Sequence, residues 1–409
     1  MNKKANMMAV IAMTSTLSAL AGEDQQAETP MVAEPTSWID SINSKGYGTF
    51  SGRVQLLSMY RDYETTHGHN TTLGAMLGYV SPTWQGFSLG ATYNYAGTLF
   101  DGGNTNLLAN DDIHLLNEAW IGYQAGALGL EETSLIVGRQ IVNGEVFRKD
   151  DFRQKARGVE AAQLIVKEVE NLTFSAGHAI RMSNWIALDD RWDYNDFGDV
   201  FNTGYDTDGI TWGEVSYTGL KDWSISLYDG YAWDVANLFG TRIQYDVCDE
   251  VSLIGYYRNE TNVGDADSRH SDAWGLSIQQ QLDNVKLEGG YFGVHGNNML
   301  FNEVTTGFNH ALGASMMIFG KQYNGGADTA YLKATTKMNN TVLYGLYNYT
   351  WQDHERFPFN AQELNVVVKQ IITDDFAVCL KAGVAHCDGK KGTDDLTATD
   401  TRLFVTYTF

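Results

Sequence analysis

The chain has 409 residues with 42 Gly, 22 Tyr, 18 Phe and 10 Trp but only 4 Pro, and a formal net charge of −22. That balance excludes a nucleic-acid partner. Past the N-terminal segment no apolar run approaches the roughly 20 residues a spanning helix needs, so any crossing of a bilayer must be made by strands.

Met1 to Ala21 carries Lys3 and Lys4, an apolar stretch from Met7 to Leu20, and Ala19-Leu20-Ala21 ahead of Gly22. This is the pattern of a cleaved secretory signal peptide, 1–21. Residues 22–46 are polar and acidic, hold Pro30 and Pro35, and read as a periplasmic linker with at most a short helix over 38–42. From Tyr47 the period is two. Strands of a transmembrane β-barrel domain, 47–409, are predicted at 47–60, 70–81, 87–96, 113–124, 132–140, 158–168, 171–183, 209–218, 222–233, 236–247, 251–260, 272–282, 285–293, 328–338, 341–351, 361–371, 375–386 and 400–409. Tight turns such as 282–284 and 338–340 alternate with long connections at 61–69, 97–112, 141–157, 184–208, 261–271, 294–327, 352–360 and 387–399. The fold class is therefore all-β, an antiparallel barrel of about 18 strands, because a soluble sandwich has no reason to alternate its loops this way. The last strand puts Leu403, Val405, Tyr407 and Phe409 on one face and Arg402, Thr406 and Thr408 on the other, with Phe404 breaking the pattern. One pair is awkward: the connection near 231–237 is short, and Asp229 falls on the lipid-facing parity.

Parity sorts the wall. Lumen-facing cations are Arg53, Arg61, Arg181, Arg242, Arg258, Lys286, Lys333, Lys369, Lys381 and Arg402, against the acids Glu118, Glu214, Glu288 and Glu363. The wall tilts basic, while acids such as Asp193, Asp196 and Asp199 sit in outer connections, where salt screens them beyond about 8 to 10 Å. The 141–157 connection is dense in both signs, with Arg148, Lys149, Asp150, Asp151, Arg153, Lys155 and Arg157, and bears Phe147 and Phe152. It is the expected constriction, folded inward with its aromatics on the wall. Such barrels also hold ion pairs that only stiffen them, so each single residue keeps that alternative.

The runs Leu135-Ile136-Val137-Gly138-Arg139-Gln140, Asp150-Asp151-Phe152-Arg153, Arg157-Gly158-Val159-Glu160 and Val169 to Gly177 resemble the third-loop region of the OprD-like outer-membrane porin family. Leu77-Gly78-Tyr79-Val80 with Gly86 to Ala91 resembles its second hairpin. The resemblance implies an eighteen-stranded channel with an inward third loop and a basic ladder guiding small anionic or zwitterionic solutes, with Arg153 and Arg157 at or near the constriction. Two departures bear on solute choice. The loop lacks the family's frequent prolines, and Lys, which cannot form a bidentate carboxylate contact, stands nearly as often as Arg.

The expected function is passive diffusion of small hydrophilic solutes or ions across the outer membrane of a Gram-negative bacterium, organic anions or zwitterions favoured. The alternatives are a cation-preferring general porin, or a structural or adhesive barrel using the long loops 184–208 and 293–327. No catalysis, cofactor or metal is expected: Ser175 and His178 take opposite faces of one strand, and the remaining histidines scatter over outer connections. Cys248, Cys379 and Cys387 have spacings of neither a metal motif nor a disulfide framework. Expected partners are membrane lipid and lipopolysaccharide, the barrel assembly machinery through the terminal aromatic Phe409, the permeating solutes and, as a homotrimer, further copies of the chain.

Overall fold

A computed structural model describes residues 43–409 apart from 44, 65, 103–111, 152, 185–191, 265, 267, 306–317, 321, 353–358 and 390–393. The signal segment, most of the linker and Phe152 thus lie outside the described residues.

Among the described residues nineteen strands form one antiparallel sheet: β1 (Thr49–Asp62), β2 (His67–Val80), β3 (Phe87–Asp101), β4 (Ile113–Gln124), β5 (Thr133–Gln140), β6 (Gly158–Val166), β7 (Leu172–Ser183), β8 (Tyr194–Asp196), β9 (Ile210–Tyr217) and β10 (Trp223–Ala232). Then follow β11 (Ala236–Cys248), β12 (Val251–Asn262), β13 (His270–Leu282), β14 (Val285–Gly296), β15 (Ala327–Met338), β16 (Thr341–Gln352), β17 (Phe359–Thr373), β18 (Phe376–Gly389) and β19 (Leu396–Thr408). Eighteen are wall strands, and β8 is a three-residue strand on the end of β7. β1 pairs with both β2 and β19, which closes the barrel, so that none of the eighteen described wall strands is left as a sheet edge.

The seam shows how the sequence closes the sheet. Gly52 exchanges backbone hydrogen bonds with Phe409 at 2.8 and 3.0 Å, and the Phe409 ring occupies the place a Cβ on Gly52 would take. Only glycine permits that seat. At the other turns, Asn and Asp supply the left-handed conformation that a two-residue hairpin demands: Asp283 at φ 50° between β13 and β14, and Asn339 at φ 52° between β15 and β16.

Three expectations need correction. The 61–69 connection is mostly strand, since β1 and β2 continue to Asp62 and His67 and close with Tyr63 donating to Thr66. Helical turns absent from the period-two reading occur at Ala125–Leu128, at α1 (Phe197–Phe201) and at α2 (Asn302–Thr305). The described parts of the two longest outer connections also do not reach away from the wall as adhesive arms. Phe197, Phe201, Phe301 and Val304 are buried inside the barrel, in one cluster with Val142, Val146, Phe147, Trp212 and Tyr228.

Candidate functional site

The site is assembled where the 141–157 segment crosses the lumen. Its apolar half explains the inward fold: Phe147 is 1% exposed and meets Trp212 of β9 at a ring-centroid distance of 5.1 Å and Phe197 of α1 at 6.0 Å. Burying a phenylalanine stabilises by about 2 to 3 kcal/mol, which holds the segment against the wall.

Those charges then tie it to opposite walls. On one side Arg53 of β1 forks onto the Asp151 carboxylate and donates to the Gln154 carbonyl at 3.0 Å, Gln55 donates to the Arg153 carbonyl at 2.6 Å, and Gln154 donates to Thr72 of β2 at 2.6 Å. On the other, Arg258 of β12 donates to the Glu145 carbonyl at 2.8 Å, and Glu214 of β9 accepts the Glu145 N–H at 2.9 Å. The segment therefore spans the barrel from β1 to β12. At its C-terminal root Lys155 is fully buried, donating to Asn117 Oδ1 at 3.2 Å, the Ala156 carbonyl at 3.1 Å and Ser183 Oγ. Burial and the nearby Arg157 push the Lys155 ammonium down to about 7. Burial, with Arg402 and Arg61 close by, pushes Arg153 down to about 9, which still leaves its guanidinium charged at neutral pH.

A second inward segment, missed in the sequence, faces the first. Glu260 of β12 accepts the Leu300 and Phe301 N–H groups at 2.9 and 3.0 Å, and Glu363 of β17 accepts the Ile318 N–H at 2.9 Å, so wall carboxylates pull the β14–β15 connection into the lumen. The two segments meet where Arg157 donates to Asp150 at 2.7 Å and to the Val304 carbonyl. Glu260 shares parity with the expected Arg258, two residues on, and lies at the end of the predicted strand 251–260, so the same sorting by parity would have found it.

The wall residues divide by side. Along β1, β18 and β19, Arg61 and Arg402 converge on the single carboxylate of Asp400, Arg402 donating at 2.9 and 2.8 Å and Arg61 at 2.8 Å through Nε. Lys381 stands opposite Arg402 in the ladder with its ammonium 5.3 Å from the Phe404 ring, so Phe404, the break in the last strand, turns inward under a cation. With Arg153 beside Arg402 and Arg61, this side gathers four cations around Asp400, the nearby Asp151 being paired with Arg53. Lys369 lies opposite Cys379 on the same side. Across the lumen, Glu288 accepts from Tyr331 at 2.7 Å and from Lys333 at 3.1 Å, Lys286 lies on the same face of β14, and Arg242 bonds Gln244 at 3.0 Å and stands beside Tyr256. Glu118 of β4 is packed beside Thr92 and Trp120.

Arg181 departs from its expected place. The β6–β7 register slips between Glu160 and Ala161, so Ala179 and Met182 both turn inward, while Ile180 and Arg181 are left exposed and Arg181 pairs with Asp196 at 2.9 Å. A bulge shifts parity by one residue, and parity alone does not reveal it. In the 141–157 segment, Arg148 and Lys149 complete the cationic set, Arg148 lying 3.7 Å from Asp150 and the Lys149 side chain lowered from its ordinary value by burial.

The matching family model, described as outer membrane porin, OprD family, covers residues 70–341. No curated protein matches the chain in sequence. Among solved structures, a BenF-like porin from Pseudomonas fluorescens Pf-5 superposes with a TM-score of 0.71 at 13% identity, covering 88% of this chain and 98% of that one. Pseudomonas aeruginosa OccK5 (OpdH) gives 0.69 at 15%, covering 88% and 97%. P. aeruginosa OccK2 (OpdF), in complex with glucuronate, gives 0.70 at 15%, covering 88% and 98%. At such identities the likeness shows the fold.

Proposed function

This chain belongs to the OprD family of outer membrane porins, and on that premise we propose that its lumen passes small organic anions by diffusion across a charged constriction. Porins are channels, and the protein's place is the outer membrane of a Gram-negative bacterium. The observation that carries the choice of solute is the cluster of Arg61, Arg153, Arg402 and Lys381 around Asp400, with Asp151 nearby already paired to Arg53, beside the point where the 141–157 segment crosses the lumen. In a narrow wet channel the nearest fixed charges set the field, so this excess raises the local concentration of anions. Both guanidiniums of the wall cluster are shared with Asp400, which leaves a net positive site that holds a carboxylate weakly enough to release it. The complex of OccK2 (OpdF) with glucuronate supports a carboxylate as the ligand chemistry. Arg148, Lys149, Asp150, Asp151, Arg153, Lys155 and Arg157 are assigned to the constriction, and the inward wall residues to the approach on either side of it.

The same reading makes 1–21 a signal peptide, 22–46 a periplasmic linker and Phe409 the residue presented to the assembly machinery before the seam closes over it. Asn43, bonded through both side-chain atoms to the Phe50 backbone at 3.0 and 2.7 Å, supports a linker that joins the barrel at its first strand. Proteoliposome swelling tests the function: entry of glucuronate should outpace that of a neutral sugar of the same size, and Arg61→Gln with Arg402→Gln should abolish the difference. Equal rates in the unaltered protein would contradict the proposal, and a preference for organic cations would assign the field to Glu145, Glu214, Glu260 and Glu288 instead.

A further inference from the structure

The chain bends into α2 at Met299 to Phe301. Asn302 donates to the Met299 carbonyl at 3.3 Å, Glu303 to that of Leu300 at 2.9 Å and Val304 to that of Phe301 at 3.1 Å. The N–H groups of Leu300 and Phe301 come before the first of these bonds and find no acceptor within the turn. Glu260 of β12 supplies both, its Oε1 to Leu300 at 2.9 Å and its Oε2 to Phe301 at 3.0 Å, from a side chain 2% exposed.

This pairing fits only the ionised carboxyl. Each oxygen already takes an N–H, so a proton on either would stand against a donor and one of the two bonds would break. The guanidinium two residues away does not replace it: Arg258 is committed to Tyr228 at 2.8 Å, to Thr305 Oγ1 at 3.3 Å and to the Glu145 carbonyl at 2.8 Å. Arg269, on the β12–β13 connection, is the other cation that bears on Glu260. The residues opposite on β11 and β13 are Leu238 and Ser271, which carry no charge, and Glu303 of α2 is exposed.

The two bonds hold more than a turn. The Phe301 ring sits 2.9 Å from where a Cβ on Gly230 would be, a seat on the wall that glycine leaves open. Val304 in turn gives its carbonyl to Arg157, which couples α2 to the 141–157 segment.

We infer that Glu260 is an acid-sensitive latch: protonated, it releases the Leu300–Phe301 turn, α2 leaves the wall, and the path beside the 141–157 segment widens. The latch lies on β12, across the lumen from the Arg61, Arg402 and Asp400 cluster, so the width of the path and the sign of its field answer to different residues.

Planar-bilayer conductance in the presence of polyethylene glycols of graded size tests it, because an uncharged polymer reads width and not field. The ordinary glutamate value is about 4.3, so records at about pH 7 and about pH 4 bracket the titration. In the unaltered protein the largest polymer that enters should increase on acidification and return to its first value when the pH is restored. Glu260→Gln offers one oxygen and one NH2 to two N–H donors, so it should admit the larger polymer already at neutral pH and lose the acid response. Lys155→Met, which removes a titrating group from the 141–157 segment, should keep that response. Heat-modifiable gel mobility at neutral pH should be the same for Glu260→Gln as for the unaltered protein, which separates an opened latch from a barrel that fails to fold. A size limit that does not move with pH, or Glu260→Gln with the unaltered limit at neutral pH, would overturn the inference. So would an acid response that survives in Glu260→Gln, which would assign it to another carboxylate such as Glu363, the acceptor of the Ile318 N–H.

Discussion

Lys155 rests, fully buried, on three neutral oxygens at the root of the lumen-crossing segment. Its ammonium is pushed down to about 7, against an ordinary value of about 10.5 in the unfolded chain. Between those values the unfolded state binds a proton that the folded state does not, so this residue makes stability rise with pH from about 7 to about 10.5 and level off below. Thermal unfolding followed by gel mobility should rise across that window, and Lys155→Met should flatten the rise. A slope unchanged in the variant would contradict the assignment. At this scale parity served well wherever the ladder was regular: Arg53, Arg258 and Glu288 all turn inward, to 8%, 1% and 1% exposure. It failed at Arg181, where a bulge exchanges the two faces, and the inward acids at the ends of two predicted strands, Asp400 and Glu260, were left out of the sorting although they share parity with Arg402 and Arg258.

Among elements, the decisive contact is between the 141–157 segment and α2. Arg157 bridges Asp150 and the Val304 carbonyl with 3% of its side chain exposed, so Arg157→Met removes the closer of the two guanidiniums at the buried Asp150 carboxylate and leaves Arg148 at 3.7 Å, a loss of up to about 3 to 5 kcal/mol for such pairs. Both segments should then loosen, and single-channel records should show larger and noisier conductance. Phe147→Ala acts through packing: it removes the ring wedged against Trp212, costs about 3 to 5 kcal/mol, and should raise conductance in the same direction. Wild-type conductance in both variants would show that neither segment narrows the path. The seam gives a separate prediction. Gly52→Val pushes a side chain into the seat of the Phe409 ring and should lower the yield of folded, heat-modifiable barrel, which membrane extraction and gel mobility would measure. The 141–157 segment was readable because its charge density and its two phenylalanines stand out in the sequence. The second inward segment was not, because the groups that pull it in, Glu260 and Glu363, lie about 40 residues away on either side of the atoms they hold.

Across the whole molecule, alternation of short and long connections was enough to give a closed barrel of eighteen wall strands, since period-two patterning and loop length survive any error in register. What the sequence left hidden is the asymmetry of the lumen. The chain's net charge is −22, yet one side of the constriction gathers Arg61, Arg153, Arg402 and Lys381 around Asp400. Net charge describes the surface as a whole, whereas permeation responds to the few charges within a Debye length of about 8 Å. The most direct test is the reversal potential of the purified protein in a planar bilayer under a KCl gradient, repeated with Arg61→Gln and Arg402→Gln together. Anion selectivity that falls in the double variant is the expected result; cation selectivity in the unaltered protein, or anion selectivity undiminished by the substitutions, would show that this cluster does not set the field.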